Sequence, residues 1–505
     1  MARERSLLRG GVILALALYS LACLFLWVDR EWHPEWDGAV YVLVARSLAA
    51  GEGYLYQGEP FFLRPPGLPW LLSFVVGPEG FDPYPVNLFL MAWAGLAACA
   101  IYFAVRAFEP GWFALAVALL TGTSLLVGKL FNSIFAEFPF AALAFLAIGL
   151  FERARGRAHD EGASPVSSAL GARGGRWFLA IGAGLCIAAA ITMRTVGVLM
   201  LPGLLLLPLV IPRGASRALG LVPVLLAGLL LAPWFRYSSA AAADAEVPVE
   251  QDLLYDYSTA LFHVDPGDPN SPLVDLVGWM ERISANSRTL LDDLVRTVLR
   301  IEPNAIRGAL LAAVLFAGIV ITLRRRGPTL LEWLFLVYVP LIATYFVYDS
   351  RLAMPLVPLA YLYLLTALRS AVEAFGRGRA RPILIGLCGL LLLLNVVHLR
   401  RDLAETTHSG RNGIEMARGV IEHTPPDARI LCNQAPTVAL LTGRRTFTYR
   451  FRRSADPLTK YGIQYVLYDT ANTPPPLMRM VEERRIRAWP IPFGDGRRTQ
   501  LTRVR

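Results

Sequence analysis

Apolar stretches of membrane length recur along the first four fifths of the chain, separated by arginine-rich or polar loops. A helix needs about 17–25 residues to cross the hydrocarbon, because every backbone group must be bonded within the segment. The runs lie at 8–28, 85–106, 111–128, 134–151, 177–194, 196–211, 218–235, 308–323, 329–347, 352–369 and 383–399. They predict about eleven transmembrane helices. The pattern is ambiguous at two places, the apolar stretch 68–77 and the pair of runs around Arg194.

Beyond residue 400 the pattern changes. An amphipathic stretch at 411–423 ends at Thr424-Pro425-Pro426 and predicts a helix. Ala428–Cys432 predicts a strand, 436–442 a short helix closed by Gly443, and Thr446–Tyr449 and Gln464–Tyr468 two further strands. The expected fold class is therefore an α-helical polytopic membrane protein with a small C-terminal α/β domain. The expected domains are a transmembrane domain over 1–400, with large loops at 29–84 and 237–307, and a soluble domain over 401–505. The loop 237–307 is too long for a plain connection and apolar at 273–299, which predicts helices lying on the membrane surface. The stretch 155–175, rich in Gly, Ala, Ser and Arg, reads as flexible.

Charge orients these elements. Only 17% of the 505 residues are charged and 55% are hydrophobic, whereas a soluble domain carries about 25% charged residues. Arg3, Arg5 and Arg9 precede the first run. Alternation then puts Arg153, Arg155, Arg157, Arg173, Arg176, Arg213, Arg217, Arg324–Arg326, Arg369, Arg377, Arg379 and Arg381 on the same side. That side is cytoplasmic by the positive-inside rule, which places the N-terminus inside and the C-terminal domain outside. The opposite loops are mixed or acidic, with Asp244, Glu246, Glu250, Asp252, Asp256, Asp265 and Asp268 in 237–307. The net charge of +10 is mainly this topological arginine, so nucleic acid is not an expected partner. The first run is too long for a signal peptide and lacks a small-x-small cleavage site, so it reads as a retained anchor. Four of the five cysteines lie in spans and the six histidines are scattered, so neither a disulfide framework nor a metal-ligand spacing is present.

Candidate chemistry gathers in the loop after the first span. Asp37 and Arg64 share it with Trp32, Trp36, Phe61, Phe62 and Trp70. Aromatic rings favour headgroup depth, where apolar faces and polar edges are both accommodated. Asp37 opens a helical pattern at 38–50 with Tyr41 and Arg46. Half out of water, such a carboxyl is expected to gain proton affinity and serve as a general base. The bland alternative is a solvated loop acid. Glu137 stands at the outer end of the fourth span, where an ionisable group in an apolar helix end needs a role or a partner; the structural alternative pairs it with Lys129.

Three arginines suit an anion. Arg64 precedes Pro65-Pro66, which stiffens the chain, and a guanidinium offers phosphate a planar donor fork. Arg194 breaks an apolar run, and Arg351 precedes the span 352–369. For Arg64 the bland alternative is an interfacial arginine on ordinary lipid headgroups; for Arg194 and Arg351 a helix-end anchor or a salt bridge with Asp349 explains each as well as phosphate does. Together they put several cations and two carboxylates on one membrane face. No nucleotide-binding loop is present, so a group transfer on that face needs an activated donor that is itself membrane-borne. A sugar on a polyprenyl phosphate meets that need, with the phosphate as leaving group and arginines stabilising its charge.

In these motifs the chain resembles the GT-C membrane glycosyltransferases, in the branch of the dolichyl-phosphate-mannose protein mannosyltransferases and bacterial aminoarabinose transferase. The resemblance is carried by Asp37 and Tyr41, by Gly58-Glu59-Pro60 and Arg64-Pro65-Pro66, and by Glu137 with Pro139. Thr192, Arg194 and Gly197 follow, then Arg351, Pro355 and Pro358, so the motifs extend over about residues 1–370. It implies a multi-pass enzyme of the bacterial inner membrane that inverts the anomeric centre. Asp37 and Glu137 would be catalytic, Arg64, Arg194 and Arg351 would bind the donor phosphate, and Tyr41 and Trp36 would contact substrate. The implied partners are a polyprenyl-phosphate sugar, a glycan, lipid or protein acceptor, and membrane lipid. No cofactor is called for, and a divalent metal stays open. Gly38 stands where many members carry a second acid, which argues against a metal shared by adjacent carboxylates.

Two other classes fit the composition: a transporter or lipid flippase, and an envelope scaffold. Transporters commonly show matching halves with polar residues at the bilayer midplane, whereas this chain has one early large loop and ionisable residues near span ends. Convergence of Asp37, Arg64 and Glu137 in one cavity would separate an enzyme from either.

Overall fold

The computed structural model describes residues 2–30, 36–78, 81–156, 173–210, 218–244, 261–264, 271–346, 348–375, 380–406, 409–448, 457–469, 475–492 and 498–504. Trp32, Glu35, most of the stretch 155–175, the acids from Glu246 to Asp268 and Tyr449 lie outside the described residues. So do Arg157, Arg213, Arg217, Arg377 and Arg379.

Each expected span falls on a helix. In chain order they begin with α1 (Ala2–Phe25), α2 (Trp36–Ala49), α3 (Gly67–Leu72), α4 (Pro83–Val105), α5 (Gly111–Gly122), α6 (Leu125–Lys129), α7 (Glu137–Ala154) and α8 (Arg173–Met193). Then follow α9 (Met200–Val210), α10 (Ala218–Asp244), α11 (Leu276–Leu299), α12 (Ala305–Arg326), α13 (Leu330–Thr344), α14 (Val357–Phe375) and α15 (Ala380–Thr406). Among the described residues, 6 helices are long and apolar enough to cross a membrane, and shorter apolar helices accompany them, so this is a multi-pass membrane protein. The ambiguous stretch 68–77 contains only the short α3, which ends at Leu72.

Small residues let the bundle close. α7 packs against α4 and α8, and its Ala141, Ala144, Ala147 and Ala154 are fully or almost fully buried. Between membrane helices such residues permit the close approach that stands in for a hydrophobic driving force.

One end of the bundle is held by buried ion pairs. Glu152 binds Arg155 at 3.0 Å and accepts a hydrogen bond from Leu330 N at 2.9 Å. Glu332 forms a capping box with Thr329, an ion pair with Arg326 at 3.0 Å and a hydrogen bond from Tyr363 Oη at 3.2 Å. Arg369 reaches Glu109 at 2.8 Å. Through Glu152 and Glu332, Arg155 and Arg326 belong to a network that ties α7, α12, α13 and α14 together, while Arg369 joins α14 to the turn between α4 and α5; all three were read from the sequence as loop charges. Once desolvated, these groups cost too much to leave unpaired.

At the other end lie the ends of α1 and α8 and the starts of α4, α7 and α14. Asn132, in a left-handed conformation with φ 62°, donates to Trp27 O at 2.9 Å and accepts from Asp29 N at 2.8 Å. Asn87 donates to Asp29 O at 3.1 Å. The long loop before α12 contributes α11, which packs one face on the bundle through Leu290, Leu294, Val295 and Val298. Leu276, Val277 and Met280 on the same helix are well exposed. This amphipathic helix accords with the reading of 273–299, although its C-terminal half is built into the bundle.

The C-terminal unit follows as α16 (Ser409–His423), β3 (Arg429–Cys432), α17 (Ala435–Thr442), β4 (Arg445–Thr448), α18 (Pro457–Lys460), β5 (Tyr465–Asp469), α19 (Pro475–Glu483), β6 (Arg485–Pro492) and β7 (Arg498–Val504). The sheet order is β4-β3-β5-β7-β6, with parallel pairing through β4-β3-β5 and antiparallel pairing beyond. Both faces are covered: Leu431, Phe447 and Val466 enter one core, and Ile430, Cys432, Tyr465 and Leu467 the other. Such double burial suits a sheet flanked by helices. β6 and β7 were missed in the sequence because Pro490, Pro492 and their arginines break the apolar alternation. An edge strand such as β6 tolerates that, since its outer N–H groups need no sheet partner.

Candidate active site

Asp37 stands in the first turn of α2, where the helix dipole favours a negative charge. Beyond α2 the chain makes a two-residue hairpin between β1 (Leu55–Tyr56) and β2 (Glu59–Pro60). Its central residues Gln57 and Gly58 have φ 51° and 87°, the signs that a type I′ hairpin turn requires. The hairpin leads into Arg64, whose carbonyl accepts from Tyr54 Oη at 3.0 Å. α10 runs past its expected end to support this loop, with Tyr237 Oη donating to Tyr54 O at 3.4 Å and Ser238 Oγ to Phe62 O at 3.3 Å.

The charged residues singled out in the sequence meet here. Arg351 Nη2 lies 2.6 Å from Asp37 Oδ2, and Arg64 Nη2 lies 3.8 Å from Asp37 Oδ1. Arg194 Nη1 lies 2.5 Å from Glu137 Oε1. Arg351 Nε also lies 2.7 Å from Asp349 Oδ2 without an aligned hydrogen bond, and its guanidinium sits 4.6 Å from the centroid of the Phe135 ring. The two pairs share one field, because Arg194 acts on Asp37 while Glu137 and Tyr41 act on Arg351. Arg64 and Glu137 are buried, and the Asp37 side chain is 13% exposed.

Burial alone would raise the proton affinity of Asp37, as expected from the sequence. Arg351 and then Arg64 outweigh it, holding the carboxyl below the ordinary carboxylate range. The expectation of a raised value is thus corrected: two guanidinium groups stabilise the charged form more than desolvation penalises it. Glu137 pairs with Arg194 rather than with Lys129, whose side chain is exposed.

The other candidates are placed as follows. Tyr41 is buried below the charges. Trp36 packs with Val40, Val44, Tyr56 and Phe61 in the apolar cluster under the hairpin. Phe61 is completely buried there, so it is a core residue and not an interfacial anchor, whereas Trp70 is 54% exposed. Among the described residues no group of three or more His, Cys, Asp or Glu could hold a metal ion. With a guanidinium already beside Asp37, Glu137 and Asp349, the donor set does not fit a divalent metal.

Beside this cluster runs an apolar groove of about 380 Å³, lined by Tyr54, Pro66, Trp70, Thr192, Trp234 and Tyr237 among others. It reaches the backbone of Arg64 through Tyr54 and the end of α8 through Thr192. α3 and α8 meet closely at its floor: a Cβ on Gly67 would stand 2.6 Å from both Thr192 O and its Oγ1. Trp234 and Tyr237 were not recognised from the sequence. Their aromatic character was visible, but only the continuation of α10 to Asp244 carries them to the Arg64 loop.

No protein-family model matches the chain, and no curated protein matches it. Solved structures do. ArnT from Cupriavidus metallidurans in the apo state is similar over 98% of both chains, with a TM-score of 0.61 at 14% identity. The same protein bound to undecaprenyl phosphate gives a TM-score of 0.58 at 15% identity, again over 98% of both chains. The oligosaccharyltransferase AglB from Archaeoglobus fulgidus, complexed with an inhibitory peptide and a dolichol-phosphate, covers 92% of this chain and 70% of its own, with a TM-score of 0.62 at 12% identity. The chain thus shares the fold of ArnT and of AglB. In this frame the paired charges stand where helix ends, the Arg64 loop and the groove come together.

Proposed function

We propose that this protein transfers a sugar from a polyprenyl-phosphate donor to a hydroxyl of a cell-envelope acceptor, which is a glycan, lipid or protein. The reaction takes place on the outer face of the bacterial inner membrane, with the N-terminus in the cytoplasm. One observation carries the reading: the Asp37 carboxylate is held between the Arg64 and Arg351 guanidinium groups beside an apolar groove. That arrangement offers a proton acceptor, two phosphate-binding forks and a place for an isoprenoid tail. Solved structures of the same fold contain undecaprenyl phosphate or a dolichol-phosphate, which supports this class of donor.

The acceptor oxygen attacks the anomeric carbon from the face opposite the phosphate. The bond from that carbon to the phosphate oxygen breaks, the polyprenyl phosphate leaves with the electron pair, and the acceptor proton passes to Asp37. A single displacement inverts the anomeric centre. Arg64 and Arg351 stabilise the charge developing on the leaving phosphate, where fixed donors in a water-poor site act most strongly. Arg194, held by Glu137, adds a third cation.

The depressed proton affinity of Asp37 fits this scheme. In the resting site it serves as the counter-ion of the guanidinium groups. When the donor phosphate recruits those groups, burial is left to dominate and the carboxylate becomes a better base. Donor binding therefore activates the base. The groove, lined by Trp70 and Trp234, takes the lipid tail.

The test is reconstitution in liposomes with a panel of radiolabelled polyprenyl-phosphate sugars. One donor should be consumed, with label appearing on an acceptor in the opposite anomeric configuration. Movement of intact donor across the bilayer without cleavage would instead establish a flippase.

A further inference from the structure

The C-terminal unit meets the loop that leads into Arg64 chiefly at Gln57. Gln57, at the hairpin tip between α2 and Arg64, donates from Nε2 to Thr446 O at 3.1 Å and accepts at Oε1 from Thr446 N at 2.9 Å. Thr446 lies in β4, the edge strand whose other side pairs with β3. The Gln57 amide thus supplies both hydrogen bonds that a neighbouring strand would supply to that residue, closing one rung at the edge of the sheet. Arg445 flanks it, donating to Gln57 O at 3.4 Å and approaching Glu59 to 3.7 Å.

Two further observations give the contact direction. Gln57 adopts φ 51°, a left-handed conformation uncommon for a residue with a long side chain and usually taken by Asn or Gly in such turns. A glycine would relieve that conformation but could not reach Thr446. Next to it, α17 packs against α2, the helix that bears Asp37. Leu440 of α17 belongs to the same hydrophobic cluster as Tyr41, Val42 and Ala45 of α2. The C-terminal unit therefore grips both segments that carry the groups flanking the reaction centre.

We propose that Gln57 is a positioning residue, and that through it the C-terminal unit holds α2 and the Arg64 loop in register for the transfer reaction. The inference rests on the glycosyl-transfer reading for its kinetic part only. Gln57 acts through the hairpin, by fixing where Asp37 and Arg64 stand. A displacement of about 1 Å at a reacting group can lower a rate by up to about a hundredfold.

The experiment compares the full-length protein with Gln57→Gly and Gln57→Glu in lipid nanodiscs. Gln57→Gly keeps the turn and removes the clamp, while Gln57→Glu keeps an acceptor for Thr446 N and loses the donor to Thr446 O. Amide hydrogen exchange at Thr446 and along 36–49 is measured together with kcat and the donor KM. In Gln57→Gly, exchange should rise at least tenfold at both places, and kcat should fall about ten- to a hundredfold with donor KM within a factor of three. Gln57→Glu should lie between Gln57→Gly and the wild type. Unchanged exchange over 36–49 in Gln57→Gly overturns the proposal, as does faster exchange with wild-type kcat. A lowered melting temperature with unchanged kcat of the folded fraction assigns Gln57 to stability alone and also overturns it. Should the wild type consume no polyprenyl-phosphate sugar, the functional reading fails while the exchange data still decide the coupling.

Discussion

Arg351 Nη2 stands 2.6 Å from Asp37 Oδ2, joining the start of α2 to the turn that opens α14. The pair is locked from behind, because Asp349 Oδ1 accepts from Arg351 N at 3.0 Å and the guanidinium covers the Phe135 ring. Removing either member of an ion pair so enclosed strands the other charge where water cannot compensate it. That mutual dependence leads to the following expectations.

Asp37→Asn preserves the shape of the side chain and removes the proposed base. Sugar transfer should fall by about 10²–10⁴-fold, the usual contribution of a positioned general base. Label transfer by purified protein checks this, with gel filtration confirming that the variant is folded and inserted.

Arg351→Gln should change the pH dependence of stability. Asp37 is depressed in the folded protein. Its stabilising contribution is therefore complete above its unfolded value of about 3.9 and lost as pH falls through the lower folded value. Without Arg351, the opposing effect of burial gains weight and the folded value moves up towards the unfolded one, so the acid-induced loss due to Asp37 should shrink. Melting temperatures between pH 3 and 7 measure it. An acid limb no different from wild type would contradict the assigned electrostatics.

Glu137→Gln and Arg194→Gln each break a pair whose side chains are 4% and 17% exposed. Each single change should destabilise by no more than about 3–5 kcal/mol, the cost of stranding a fully buried charge, and the double variant should cost less than the sum. Denaturation of all four proteins in detergent provides the cycle.

Gly67→Ala places a methyl group against the backbone oxygen of Thr192, 2.6 Å away. α3 must then move off α8, taking the Arg64 loop with it. Overpacking of this kind costs about 1–3 kcal/mol, so a lower melting temperature and a reduced kcat/KM are expected together.

Trp234→Ala opens the groove wall without touching the charges. Donor KM should rise for long polyprenyl chains and stay unchanged for short-chain analogues, which do not fill the groove. A parallel rise for both would place the tail elsewhere.

The sequence by itself determined where the helices lie, because lipid forces each crossing segment to satisfy its own backbone and advertise itself as an unbroken apolar run. It also exposed Asp37, Arg64, Glu137, Arg194 and Arg351, since charge beside such runs stands out. Only the tertiary structure decided who pairs with whom: Glu137 with Arg194 instead of Lys129, and Asp37 with Arg351 as well as Arg64. Those choices follow from helix packing across long sequence separations, which no local pattern encodes. The same holds for Trp234, Tyr237 and Gln57, ordinary residues until α10 and β4 come beside the Arg64 loop. It holds too for the direction in which Asp37 titrates. Nearness to the membrane predicts a raised proton affinity, but two distant arginines converge on the carboxylate and reverse it.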